Sequence, residues 1–97
     1  MKTDMRRARA SLAERLASNA LTSGMEVRAH GDNLIVARPT EGPDRDDRVR
    51  LTRLGASSWG LSVKRHTGRW ERTPFAGSMS EMTDVIWSFL QHVVAPT

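Results

Sequence analysis

No cysteine occurs in the 97 residues, which removes disulfides, thiolate metal sites and thiol nucleophiles together. Tyrosine is also absent and phenylalanine occurs twice, so three tryptophans carry most of the aromatic character. No apolar run approaches the ~20 residues that a helical membrane span needs. The longest, Val85 to Val94, is interrupted by Ser88, Gln91 and His92. Gly-x-Gly-x-x-Gly, phosphate-loop and Gly-x-Ser-x-Gly patterns are missing, and with them the dinucleotide, nucleotide and serine-hydrolase signatures. His30, His66 and His92 show no ligand spacing. The acidic loop Glu41, Asp44, Asp46, Asp47 lacks the glycine and distant glutamate of a calcium loop. No catalytic residue, metal, cofactor or small-molecule ligand is therefore expected. Lys2, Arg6, Arg7 and Arg9 make a basic N-terminus. Glu14 and Arg15, however, fall where the apolar part of a secretion signal belongs, and a cytoplasmic location is expected.

What the chain has in quantity is arginine. It supplies 13 of 15 basic residues against 11 acids, for a net charge of +4. Guanidinium forks bind phosphate bidentately, so an arginine-rich surface is a nucleic-acid signature. A genome rich in arginine and alanine codons produces the same enrichment.

The length suits one domain. Met5, Ala8, Leu12, Leu16 and Ala20 recur at spacings of three and four, predicting a helix over residues 5–21 with Gly24 as its stop. Ser11 and Glu14 have capping-box spacing. This divides the chain into a basic, frayed arm at residues 1–10 and a single α+β domain at 11–97. Met25 to His30 alternates apolar and charged residues, Gly31-Asp32 turns, and Asn33 to Arg38 runs back. A two-residue loop here sets Ala29 opposite Leu34 and Val27 opposite Val36, apolar against apolar. Residues 39–47 read as a polar loop. Further strands are expected at Arg48–Thr52, around Trp59–Val63 and at Arg69–Thr73. A Thr67-Gly68 turn between the last two sets Lys64 opposite Glu71 and Arg65 opposite Trp70, although Thr-Gly also suits a loop one residue longer.

Ser78 and Glu81 form a second capping box ahead of a long apolar periodicity. Val85, Phe89, Met82, Val93, Ile86, Met79, Leu90, Val94 and Trp87 sweep about 200° of the closing helix, where a surface helix commonly shows a stripe nearer 100°. Only Thr83 interrupts the arc. The expected fold is thus an N-terminal helix, an antiparallel meander of four or five strands and a C-terminal amphipathic helix. Both helices lie on one sheet face.

Two surfaces suggest function. The wide helical arc leaves Trp87, Leu90 and Val94 as a candidate homodimer or protein interface. The opposite sheet face gathers Arg28, Arg48, Arg50, Lys64 and Arg69 as candidate phosphate contacts, without an aromatic placed for base stacking. A solvated antiparallel face has the same polar look. The order of strands followed by one helix is similar to that of coactivators that bind single-stranded DNA, and the leading helix and strand run to that of secretion chaperones. Both are likenesses of topology over most of the chain, with no shared motif, and topology alone does not carry function. The leading expectation is a non-catalytic protein-interaction module that self-associates. Nucleic-acid binding through the basic face and N-terminal arm comes second, and a small enzyme last.

Overall fold

The computed structural model describes residues 3–96. Among these, the order is α1 (Thr3–Ala17), β1 (Glu26–His30), β2 (Asn33–Pro39), β3 (Arg45–Arg53), β4 (Trp59–Lys64), β5 (Trp70–Gly77), α2 (Met79–Phe89) and α3 (Gln91–Val94). The five strands form one open antiparallel sheet in sequence order. Helix begins at Thr3 rather than Ser11, because Met5 and Ala8 share a face with Leu12 and Leu16. Met5 is buried in the same cluster. The segment expected as a frayed arm is therefore helical from Thr3 on, and the Ser11–Glu14 spacing lies inside the helix. α1 also ends earlier than its periodicity suggests. Thr22, fully buried, donates to Leu16 O at 2.7 Å and turns the chain after Ala17.

The first hairpin forms as the alternation predicts, with Ala29 opposite Leu34 and Val27 opposite Val36. Gly31 takes φ 62° while Asp32 does not turn left-handed, the pattern of a two-residue hairpin turn with glycine first. One sheet face, carrying Leu34, Val36, Val49, Leu51, Leu61 and Trp59, packs against Leu12, Leu16, Met82, Ile86 and Val94 of the helices. Burying each such aliphatic side chain contributes ~1.5–3 kcal/mol. The opposite face carries no helix.

Capping of α2 follows the sequence pattern. Ser78 Oγ accepts from Glu81 N at 3.0 Å, and Glu81 Oε1 accepts from Ser78 N at 2.9 Å. A Cβ at position 77 would lie 2.6 Å from that carboxylate oxygen, so Gly77 leaves the space the box needs. Thr83, the one polar residue of the apolar arc, is buried with its hydroxyl satisfied. It donates to Ser80 O and accepts from Arg15 Nε, both at 2.8 Å. The closing helix does not run unbroken to Val94. It breaks at Leu90 (φ −116°, ψ 25°), and two arginines hold the short α3 in place. Arg48 donates to Val93 O and Ala95 O at 2.8 and 2.9 Å, and Arg38 to Val94 O and Leu21 O. Burial and the neighbouring Arg48 charge pull the Arg38 guanidinium below its ordinary pKa.

No helix among the described residues is long and apolar enough to cross a membrane.

Candidate functional site

The helix-free face is organised by register. Arg28 pairs with Ile35, Ile35 with Arg50, Arg50 with Ser62 and Ser62 with Arg72. Cross-strand partners share a face, so Arg28, Arg50 and Arg72 stand in one row on β1, β3 and β5. Ile35 is only 8% exposed despite facing the side without helices. Arg28 and Arg50 stand on either side of it in the register row, and long arginine stems can cover apolar surface.

The β4–β5 hairpin differs from the expected pairing by one residue, and that slip changes the site. Lys64 stands opposite Trp70 and Val63 opposite Glu71. The loop is the longer one: Gly68 N donates to Arg65 O, Arg65 N donates to Arg69 O, both at 2.8 Å, and Gly68 takes φ 89°. Left-handed glycine after a tight turn is the usual chemistry of a three-residue hairpin loop. A one-residue slip moves every side chain to the other face. Trp70, which the shorter loop would set opposite Arg65 on the other face, therefore joins the basic face, and Arg72 joins it too. Arg69 falls in the loop end before β5 and leaves that face. The indole is half-buried, with the Arg50 guanidinium carbon 4.8 Å and Lys64 Nζ 5.4 Å from its ring centroid.

Arg48 also departs from the expected set. β3 begins at Arg45, so Asp46 and Asp47 are strand residues rather than loop. Pairing shifts between Val36 and Ala37, leaving Arg48 as the extra residue of a bulge. A bulge re-aims a side chain, and Arg48 turns to the helix side, where it clamps α3. Of the five expected phosphate contacts, Arg28, Arg50 and Lys64 share the open face, while Arg48 and Arg69 do not.

The electrostatics of the face are uneven. Asp47 is its one well-shielded acid, with a side chain 13% exposed, gripped bidentately by Arg28 at 2.7 and 2.9 Å and lying 3.8 Å from Lys64 Nζ. The Arg28 hydrogen bonds hold the Asp47 carboxyl below its usual range, against the opposing effect of burial. Glu26, nearer the edge, pairs with Arg45. Arg50 and Arg72 have no acidic partner among the described residues, and Arg50 Nε is buried without a hydrogen-bond acceptor.

Two of the three candidate dimer-seam residues, Leu90 and Val94, are buried within the monomer, and Trp87 is half-buried. Leu90 is 8% exposed and Val94 fully buried. Trp87 donates its indole N–H to Thr22 Oγ1 at 3.1 Å and lies 5.4 Å under the Arg15 guanidinium. The wide arc is covered from within, because α1 and the turn after it pack over the Trp87 side. What stays exposed is Phe89 (65%), stacked on Phe75 at 5.9 Å, and Leu54 (51%). No group of three or more His, Asp or Glu positioned for a metal occurs among the described residues.

Comparison with protein-family models, with curated proteins and with solved structures gives no match to this chain.

Proposed function

We propose that this chain is a nucleic-acid-binding domain whose contact surface is the open face of its sheet. The observation that carries the reading is Trp70, with the Arg50 guanidinium and the Lys64 ammonium close to its ring, on the side of the sheet that no helix covers. Cations with a half-buried aromatic among them supply the two ingredients of a backbone-tracking, base-stacking surface. The cation–π contacts already present do not bar a base. A partly buried contact of this kind contributes ~0.5–2 kcal/mol, against ~1–3 kcal/mol for a base stacked on an aromatic ring.

Titration of the protein into labelled oligonucleotides at low and moderate salt tests the proposal. Contacts from Arg28, Arg50, Lys64 and Arg72 should give a log–log salt slope of about −2 to −3 on a single strand. Absence of binding at low salt rejects the reading.

A second reading, self-association as a protein-interaction module, rests on the Phe75–Phe89 pair beside β5, an edge strand of the sheet. It no longer draws on Trp87, Leu90 and Val94. Light scattering at high micromolar concentration decides it, a monomer ending the claim.

A further inference from the structure

We infer that the ligand of the open face is a single strand rather than a duplex, laid across the β-strands with one base stacked on Trp70. This rests on the nucleic-acid reading above and adds strandedness, path and site size to it. Arg28, Arg50 and Arg72 occupy β1, β3 and β5 in one unbroken register row. Neighbouring strands lie ~4.8 Å apart, so the arginines recur roughly every 10 Å and the row spans roughly 19 Å. A strand in a duplex advances ~3.4 Å per nucleotide, and an unstacked single strand is more extended, so about six nucleotides or fewer cover that row.

Trp70 stands on β5 two residues before Arg72, on the same face and beside the row rather than in it. Phosphates following the arginines therefore leave a base free to turn toward the hairpin end, where the indole lies. A duplex keeps its bases stacked on one another and offers this ring no free π-face. Lys64 is the cation a base would displace. Its ammonium already lies between the ring, at 5.4 Å, and Asp47, at 3.8 Å, and it can swing to an incoming phosphate. Base edges meet few readers here. Asn33, the one amide on this face, already accepts from Thr52 Oγ1 at 2.7 Å. Binding should tolerate any sequence, because every base has a π-face.

Fluorescence anisotropy with three probes of equal length tests this: an oligothymidine, an abasic strand with the same phosphates, and a duplex. The wild-type chain should bind the oligothymidine about tenfold or more tighter than either of the others, quench tryptophan emission on binding, and gain little affinity beyond about six nucleotides. Trp70→Leu should lower oligothymidine affinity to that of the abasic strand while leaving the salt slope and abasic affinity unchanged. The abasic comparison uses the unaltered protein, so it stands even where the variant folds poorly. Equal affinity for oligothymidine and abasic strand, or preference for duplex, overturns the inference and leaves the nucleic-acid reading in place. Affinity still climbing well past ten nucleotides overturns the path across the strands. Binding of none of the three at low salt removes both proposals.

Discussion

The guanidinium carbon of Arg50 lies 4.8 Å from the centroid of the Trp70 ring, reaching from β3 to β5 across the intervening strand. Arg50 Nε is at the same time buried without an acceptor. The cation–π attraction is worth ~0.5–2 kcal/mol in a partly buried pair, and the unsatisfied donor costs about 1 kcal/mol or more, so the two nearly cancel. Arg50→Met, which keeps a long apolar stem at the register position opposite Ile35, should change unfolding free energy by less than about 1 kcal/mol in urea. The same variant should flatten the single-strand salt slope by about 0.7, one phosphate contact.

Arg48, two residues away, should behave in the opposite manner. Its hydrogen bonds to Val93 O and Ala95 O hold α3, and hydrogen bonds from charged donors contribute ~1.5–3 kcal/mol. Arg48→Met should destabilise the fold by about 2 kcal/mol and speed amide exchange over residues 91–95, with oligonucleotide affinity unchanged. Equal loss of affinity in both variants would place Arg48 on the binding face and contradict the bulge.

Trp87→Phe removes the donor to Thr22 Oγ1 and part of a packed ring. Thermal unfolding should show a loss of about 1–2 kcal/mol, and Leu90→Ala about 2–3 kcal/mol. Light scattering should return the same mass for both variants as for the wild-type chain. A change of assembly state without loss of stability would restore these residues to an interface.

Acid should act through Asp47. Its carboxyl titrates below the ordinary 3.8 because Arg28 hydrogen-bonds the charged form. A carboxyl depressed in the folded state adds stability that is fully present above its unfolded pKa and disappears as pH falls through the folded one. The pair therefore stabilises near neutrality and loses that contribution progressively below about pH 4. Asp47→Asn should be less stable than wild type at pH 6 and converge on it toward pH 2 in denaturation curves. A constant difference between the two proteins over that range would show that the pair contributes nothing through ionisation.

Ser78→Ala removes the side-chain acceptor at the start of α2. The cost should be about 1 kcal/mol by urea denaturation. A variant as stable as wild type would mean that solvent satisfies the Glu81 amide equally well.

Local physics settled much of this molecule. Period-3.6 apolar positions place α1 and α2, period-2 alternation places the strands, Gly31 sets the first hairpin, and Ser78 with Glu81 caps α2. Each of these depends on groups within a few residues of one another, so the chain itself determines it. The site did not follow in the same way. Thr67-Gly68 is compatible with loops of two lengths, and only the docked β4–β5 pair selects the longer. That choice brings Trp70 and Arg72 to the open face and removes Arg69 from it. The bulge at Arg48 likewise arises between β2 and β3, and the carbonyls that hold its guanidinium belong to residues more than forty positions away. Trp87 lies at the rim of an apolar arc by periodicity, but its burial is set by Thr22 and Arg15, which reach it only after α1 has packed. Register, bulge and helix docking are agreements between distant segments, and alternation along one segment does not encode a one-residue offset in its partner. That offset decided which face of this sheet carries Trp70.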